Sequence, residues 1–141
     1  MKDLLADFQP WTHWSELSER CGDQLDSPGV YMLARLDVLP NKSKPKLSEK
    51  VIYVGEACSQ SLRKRLRQFG RSCTSDRRAH SGGSTFYEKF KRKKIPDWLF
   101  VSVLVSKKVE PHNSAYIRFV ERSLLWSYVQ RYGEMPACNL R

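Results

Sequence analysis

One glutamate stands where helical packing alone would not place a charged side chain. Residues 113–132 are predicted to form a long helix, and at about 100° per residue its apolar side chains fall on one stripe centred near Ile117. Glu121 falls about 40° from that centre, inside the stripe. A buried carboxylate is costly unless it is paired, protonated or bound to a metal ion. Glu121 is therefore a candidate ligand for a hard divalent cation such as Mg²⁺. A buried ion pair with an arginine is the alternative.

An arginine and two tyrosines could work beside such a cation. In the helix predicted for residues 61–69, Arg65 flanks the apolar stripe, so its guanidinium would lie near the sheet and could grip phosphate oxygens. Tyr31 and Tyr53 lie in predicted strands, each separated from a glycine by one valine. A phenol close to a metal and to cations can orient water or lose a proton. The spacing alone equally allows a surface arginine and two packing tyrosines.

Positive charge is concentrated in one part of the chain. Residues 63–94 carry twelve lysines and arginines against Asp76 and Glu88, within a chain of net charge +10. Such a field attracts a polyanion and steers its approach, although a basic face kept for solubility is the alternative. A lysine-containing loop at 37–50 is interpreted as a second contact with the nucleic acid that such a field would attract, or as a plain linker. The residues expected to touch nucleic acid are Arg63, Lys64, Arg67, Arg71, Arg77 and Arg78, with Lys44 and Lys46 in that loop beside Lys42 and Lys50.

Three apolar segments are predicted to form strands. They lie at residues 29–36, 51–55 and 98–105, and the first two are joined by the polar, proline-containing loop 37–50. Two strands in succession with a connecting loop favour an antiparallel pair.

Helical spacing and capping signals predict four helices around these strands. The order of elements indicates an α+β fold, with a small three-stranded antiparallel sheet flanked by helices. A loop is expected at residues 70–84 because it contains His80-Ser-Gly-Gly-Ser84. The helices are predicted at residues 10–21, at residues 61–69, after a capping box formed by Thr85 and Glu88, and from a cap at Asn113 or Ser114 to Tyr132, where Gly133 ends the last one.

The first 27 residues differ in charge from the rest. They are acidic, so we expect an N-terminal helical extension at residues 1–27 ahead of a functional domain at residues 28–141. Phe119 and Trp126 project from the side of the long helix opposite Glu121 and need cover. Trp11 and Trp14 of the extension could provide that cover, and so could a second copy of the chain in a homodimer.

Composition excludes several classes of protein. The chain has 141 residues, of which 40% are hydrophobic and 28% charged, as expected for one globular domain. No apolar run approaches the ~20 residues of a membrane helix, and the N-terminus lacks a signal pattern. We therefore expect a cytoplasmic protein. Its widely spaced cysteines are expected to be free thiols rather than a disulfide framework or a zinc site; they are Cys21, Cys58, Cys73 and Cys138.

Taken together, these residues resemble the GIY-YIG nuclease family. Its Gly-Ile-Tyr motif corresponds to Gly-Val-Tyr at 29–31, and its Tyr-Ile-Gly motif to Tyr-Val-Gly at 53–55. The family's helical arginine corresponds to Arg65, its metal-binding glutamate to Glu121, and its asparagine after a proline to Asn139. The match spans roughly residues 28 to 139 and is most similar to the restriction-endonuclease-like branch.

The resemblance implies an endonuclease that hydrolyses DNA phosphodiester bonds with one divalent metal ion, Mg²⁺ or Mn²⁺. It implies that Glu121 binds the metal, that Arg65 clamps the phosphate and that Asn139 supports the site through hydrogen bonds. Tyr31 would activate the attacking water and Tyr53 would position groups at the phosphate. Which tyrosine acts as the base stays open at this stage.

One departure from the family affects the proposed base. Phe69 stands where several relatives carry a histidine or tyrosine that helps to deprotonate the first tyrosine. His80, in the predicted loop, is a candidate replacement, and an ordinary loop histidine is the alternative. Duplex DNA is the expected partner, with either restriction-like or structure-specific cutting. The alternative function is a catalytically inactive or weak DNA- or RNA-binding module of the same fold.

Overall fold

A single antiparallel sheet organises the molecule, and the computed structural model describes residues 3–38 and 44–140. The strands lie in the order β1-β4-β2-β3, so β3 is an edge strand. The α+β class is confirmed, but the sheet has four strands where three were predicted. The additional strand has only two residues, too few to show an alternating pattern. The strands are β1 (Thr12–His13), β2 (Gly29–Arg35), β3 (Val51–Ala57) and β4 (Leu99–Val105).

Four α-helices in the described part of the chain flank this sheet. Three short 3₁₀ helices also occur between residue 3 and the first long strand. The α-helices are α1 (Leu17–Cys21), α2 (Leu62–Cys73), α3 (Ser81–Phe90) and α4 (His112–Tyr132).

The two faces of the sheet build two separate cores, because successive strand residues point to opposite sides. On one face, Tyr31 and Tyr53 pack with α2 and α3, whose Phe69 and Phe86 are fully buried. On the other face, valine and methionine side chains of β2 and β3 pack against the apolar stripe of α4. The sheet therefore lies between α2 and α3 on one side and α4 on the other.

The predicted helix at residues 10–21 is wrong over its first part. Thr12 and His13 form β1 instead, and pair with Val101 and Phe100 of β4. Backbone pairing with the sheet overrides the helical spacing of the tryptophans and leucine in this segment. A short 3₁₀ turn follows, and only the last five residues of the segment form the α-helix α1.

The predicted loop at residues 70–84 is shorter than expected. Helix α2 continues to Cys73 and α3 begins at Ser81. A Cβ on Gly83 would lie 2.8 Å from the Phe69 carbonyl oxygen, so this glycine allows α2 and α3 to approach closely. The capping box of Thr85 and Glu88 is also wrong, because Thr85 lies inside α3. The residue that caps α3 is His80.

The start of α4 also differs from the prediction, whereas its end is confirmed. The helix begins at His112 and neither Asn113 nor Ser114 caps it. Asn113 instead accepts hydrogen bonds from the Ser106 hydroxyl at 2.6 Å and from a backbone N–H. Gly133 ends the helix with a φ of +78°, which favours glycine.

The N-terminal segment packs against both cores rather than against the outer side of α4. Trp14 lies 5.7 Å from Phe69, measured between ring centroids, and Trp11 packs at the edge of the other core. Phe119 and Trp126 remain 58% and 62% exposed, so the predicted cover by Trp11 and Trp14 is wrong. The prediction that Trp126 projects opposite Glu121 is also wrong, because both side chains line one cleft at the β3 edge of the sheet.

Two further predictions concern the lysine-containing loop and the absence of membrane-spanning helices. In the predicted DNA-contact loop, Lys44 and Lys46 are exposed, whereas Lys42 lies outside the described residues. No helix within residues 3–38 and 44–140 has the length and apolar character needed to cross a membrane.

Candidate functional site

The two tyrosine motifs meet because β2 and β3 pair in a fixed register. Tyr31 lies opposite Gly55, and both tyrosine rings pass over this glycine. A Cβ on Gly55 would lie 2.5 Å from the Tyr53 ring and 2.7 Å from the Tyr31 hydroxyl. A Cβ on Gly82 would overlap the other edge of the Tyr53 ring. Glycines of β3 and α3 thus hold the two phenols together, with their ring centroids 5.9 Å apart.

Tyr31 and His80 form a buried hydrogen-bonded pair behind this glycine. The Tyr31 hydroxyl lies 2.6 Å from His80 Nε2, and the two residues are 0% and 2% exposed. His80 lies at the end of the loop that precedes α3, where it caps the helix and its ring packs edge-on against Phe69. We call the packed cluster of Tyr31, Phe69 and His80 the inner pocket. His80 therefore lies beside the position where Phe69 replaces a polar residue.

The protonation state of His80 follows from its two hydrogen bonds. The Gly83 N–H donates to Nδ1 at 3.1 Å, so Nδ1 carries no proton. Burial, with a smaller effect of the Arg65 charge, lowers the pKa of His80 to about 3. The ring is therefore neutral near pH 7, carries its proton on Nε2, and donates this proton to the Tyr31 oxygen.

Burial raises the pKa of both tyrosines, and Arg65 opposes this effect. The pKa of Tyr31 lies well above its usual value, chiefly because the ring is fully buried. Burial also raises the pKa of Tyr53, while Arg65 and hydrogen bonds with Tyr31 and Ser81 lower it. Arg65 is partly buried and its guanidinium donates to Gln68 at 2.9 Å. It thus places a positive charge near both phenols.

A cleft of about 830 Å³ opens at the β3 edge of the sheet. Tyr53, Glu121 and Asn139 line it, whereas Tyr31 and Arg65 do not. We call this space the outer cleft. Tyr53 is the one residue of the two motifs that reaches both the inner pocket and the outer cleft, because its ring packs 5.4 Å from His80. The predicted site residues therefore occupy two adjoining compartments.

Glu121 projects into the outer cleft from α4 and is partly buried. Burial, together with the nearby negative charge of Glu56, raises the pKa of Glu121 to about 7, while Arg122 and Arg118 oppose the shift. Among the described residues, no ion pair joins Glu121 to an arginine. A half-buried carboxylate that faces an open cleft is free to bind a ligand.

Glu56 is a site residue that the sequence interpretation missed. It follows Gly55 in β3, is partly buried, and its Oε2 atom is buried without a hydrogen-bond partner. Its charge acts on Glu121. The available signal was an acidic residue within an otherwise apolar strand, directly after the second tyrosine motif.

These donors fit one kind of metal ion. No group of three or more metal-binding side chains is found in residues 3–38 and 44–140. Mg²⁺ needs no such group, since it binds one or two carboxylates and keeps several waters or phosphate oxygens. The Glu121 carboxylate, the unpartnered oxygen of Glu56 and the open cleft fit this requirement, and Mn²⁺ takes the same oxygen ligands.

Asn139 anchors the C-terminal segment to the exposed edge of β3. Its side-chain amide donates to the Val54 carbonyl and accepts from the Val54 N–H, both at 2.9 Å. The neighbouring Cys138 N–H donates to the Ile52 carbonyl at 2.7 Å. Both polar atoms of Asn139 are thus used by the backbone, which makes it a support for the cleft wall.

Some of the residues predicted to contact nucleic acid already bond to other protein groups, and others are exposed to solvent. Arg63 donates to the Asp26 carboxylate and to the Gly22 carbonyl, both at 2.8 Å, so it ties α2 to the N-terminal segment. Arg78 lies 3.8 Å from Glu88, and Arg77 is exposed. Lys64, Arg67 and Arg71 line one groove on α2, which we call the α2 groove, and all three are exposed.

Comparisons with known proteins found no match that could support an assignment of this site. The chain matches no family model, no curated protein and no solved structure. The chemistry of the site is therefore argued from its side chains. They offer a phenol held by hydrogen bonds, a guanidinium near it, and a carboxylate in an open cleft, which together can bind a phosphate and activate water.

Proposed function

We propose that the chain is a metal-dependent endonuclease of the GIY-YIG type that hydrolyses DNA phosphodiester bonds. The observation that carries the proposal is the position of Tyr53, which touches the Tyr31–His80 pair on one side and shares the outer cleft with Glu121 on the other. These residues come from β2, β3, α3 and α4, far apart in the sequence. Packing alone does not require a carboxylate at the place where they meet.

Glu121 would hold the Mg²⁺ or Mn²⁺ ion, with Glu56 as a second carboxylate near it. When bound, the ion would act as a Lewis acid that stabilises negative charge on the phosphate and on the leaving oxygen. Glu121 has to be ionised for this role, and its pKa of about 7 means that the carboxylate holds its proton more tightly than usual. Ion binding and proton loss at Glu121 are therefore coupled.

Tyr53 is the phenol that can touch a water molecule in the cleft. Tyr31 is fully buried and its oxygen accepts the Nε2 proton of His80, so it stands behind Tyr53 rather than facing the substrate. Hydrogen bonding with Tyr31 lowers the pKa of Tyr53, against the larger opposite effect of burial. We therefore assign the orientation of the attacking water to Tyr53, which could accept a proton from that water only after its own phenol proton has passed to solvent in the cleft. Tyr31 and His80 would tune Tyr53.

Arg65 would stabilise the phosphate and the phenols together. Its charge lowers the pKa of both Tyr31 and Tyr53, although burial is the larger effect for each. A guanidinium can fork two phosphate oxygens while staying charged at any working pH. Its hydrogen bond to Gln68 restricts its orientation.

The charge of the chain supports a polyanionic substrate. The net charge is +10, and the α2 groove presents Lys64, Arg67 and Arg71 to solvent. Phosphate contacts of this kind position a nucleic acid without reading its sequence. The choice of DNA rests on the family resemblance, and competition between duplex DNA, single strands and RNA tests it.

Nicking of supercoiled plasmid in Mg²⁺ tests the proposal. We expect the wild-type chain to nick the plasmid, and Glu121→Gln to reduce the rate by two to three orders of magnitude, on the order of the loss of one transition-state contact. Glu19→Gln changes an exposed carboxylate on α1 and should leave the rate unchanged. DNA binding by Glu121→Gln should persist. Binding without any cutting by the wild-type chain would instead favour the inactive module.

A further inference from the structure

One wall of the outer cleft is apolar, which a phosphodiester backbone does not require. Tyr53, Glu121 and Asn139 also line this cleft. Trp126 is 62% exposed although it lines this cleft, so its ring is available to a ligand. The apolar wall consists of Leu125, Trp126, Val129, Met135 and Leu140.

The charges around this wall are positive. Arg122 lines the same cleft and lies on α4 four residues before Trp126, about one helical turn away. Arg118 is exposed one further turn along the helix, on the same side as Glu121. A flat aromatic surface next to arginines is the combination that binds nucleic acid whose bases are unpaired, through stacking and phosphate contacts.

We propose that the outer cleft binds an unpaired nucleobase of the strand to be cut, stacked on Trp126 beside Glu121. The inference rests on the proposed nuclease function and names its substrate class: DNA with an unpaired nucleotide next to the cleaved bond, as in a bulge, a gap or a flap. The cleft of about 830 Å³ is large enough for a nucleotide. A base that is already unpaired enters without the cost of breaking a pair and a stack.

Phe119 provides a matched control on the same helix. It lies seven residues before Trp126 in α4 and is 58% exposed, but it does not line the outer cleft. If general hydrophobic contact with DNA or with a second chain were responsible, both aromatic residues would contribute alike. If a base stacks in the cleft, only Trp126 contributes.

The experiment measures binding in EDTA, so that no cleavage occurs. The probes are a short labelled duplex with one bulged nucleotide and the fully paired duplex of the same sequence, followed by fluorescence anisotropy. We expect the wild-type chain to prefer the bulged duplex by about tenfold, and Trp126→Ala to lose this preference. Trp126→Phe should keep most of it, and Phe119→Ala should keep all of it. Trp126 is exposed, so circular dichroism should show that its variants are folded.

Several results would overturn the inference. These are equal affinity of the wild-type chain for both duplexes, an equal loss for both duplexes in Trp126→Ala, or an equal effect of Phe119→Ala. A dimer in sedimentation that Trp126→Ala dissociates, without a change in DNA preference, would assign the cleft to a second copy. Plasmid nicking separates the two proposals: Glu121-dependent nicking without a bulge preference defeats this inference alone, whereas a bulge preference without nicking defeats the nuclease function alone.

Discussion

The inner pocket and the outer cleft differ in how their polar groups are satisfied. In the inner pocket, Tyr31 and His80 are buried and hydrogen-bonded to each other, and the second ring nitrogen of His80 is held by a backbone N–H. In the outer cleft, Glu121 faces open space. Glu56 does not line the cleft, but its charge acts on Glu121 and its Oε2 atom is buried without a partner. Buried polar groups normally find partners, so unsatisfied carboxylates mark the side on which a ligand is expected.

This contrast assigns different tasks to two residues that the sequence presents as equivalent. Tyr31 and Tyr53 occupy mirrored positions in their motifs, yet Tyr31 belongs to the satisfied pocket and Tyr53 faces the unsatisfied cleft. The inner pocket would fix the position and the pKa of Tyr53, and the outer cleft would supply the side chains that contact the reacting groups. Each experiment below tests one side of this division.

The largest expected effect separates the two tyrosines. Tyr53→Phe should lower the single-turnover rate of plasmid nicking by about a hundredfold or more, the range for loss of a general base. Tyr31→Phe keeps the packing over Gly55 and should lower the rate by roughly tenfold, because it only removes a hydrogen bond behind Tyr53. The reverse order of effects would make Tyr31 the group that activates water, as the family resemblance implies.

The next effect separates the two hydrogen bonds of His80. Asparagine is a good N-cap but is too short to reach the Tyr31 hydroxyl and does not fill the buried space of the ring. His80→Asn should therefore lose several-fold in rate, and it should lower the free energy of unfolding by less than His80→Ala does. His80→Ala removes the cap as well and should cost about 0.5–2 kcal/mol of unfolding free energy.

Nitrogen-15 NMR of the wild-type ring provides the accompanying check. We expect a neutral ring with its proton on Nε2 throughout the neutral pH range, because the pKa is about 3. Titration of His80 near its ordinary pKa, or a proton on Nδ1, would refute the role of His80 as a donor to Tyr31.

A third effect concerns the pH dependence of stability in the metal-free chain. The folded-state pKa of Glu121 is about 7 and its ordinary value is 4.5, so the folded state holds this proton more tightly than the unfolded state. The contribution of Glu121 to stability is therefore fully present below pH 4.5 and decreases as the pH rises to about 7.

Glu121→Gln should flatten this decrease, and thermal unfolding in EDTA across that range measures it. Glu56→Gln should lower the pKa of Glu121, because the charge of Glu56 adds to the effect of burial on that pKa. The decrease in stability should then end at a lower pH. Identical pH profiles for wild type and Glu121→Gln would contradict the placement of this carboxylate.

The smallest effect distinguishes a free from a paired cation on α2. Lys64→Ala should reduce the slope of log affinity for DNA against log salt by about one, since Lys64 is exposed in the α2 groove. Arg63→Ala should leave this slope nearly unchanged and cost at most about 1 kcal/mol of stability, because Arg63 is bonded to Asp26. Equal slopes for both variants would show that the Asp26 pair opens when DNA binds.

The regular parts of the fold could be predicted from local patterns. The three long strands and the end of α4 follow from the hydrophobic period and from Gly133. The two-residue strand β1 could not be, because its pairing with β4 is a tertiary contact that overrides local spacing. The beginning of α3 was hidden by Gly82 and Gly83, which suit a loop but here allow close packing against Tyr53 and α2.

The sequence could predict most of the residues that belong to the candidate site, but not how they are arranged. The sequence singled out Glu121 and Arg65 from their helical positions, and the motif resemblance added the tyrosines. It could not show that the sheet divides these residues between two compartments, nor that the Glu56 oxygen is left without a partner. Burial and hydrogen-bond satisfaction depend on the whole fold, and they decide which tyrosine faces the substrate.

The position of a bound metal ion tests the central claim most directly. Crystals of the chain soaked in Mn²⁺ and measured near the manganese absorption edge would show the ion as an anomalous difference peak. We expect that peak in the outer cleft, bonded to the Glu121 carboxylate on the side of Tyr53. A Mn²⁺ peak held by other residues, with none at Glu121, would contradict the account.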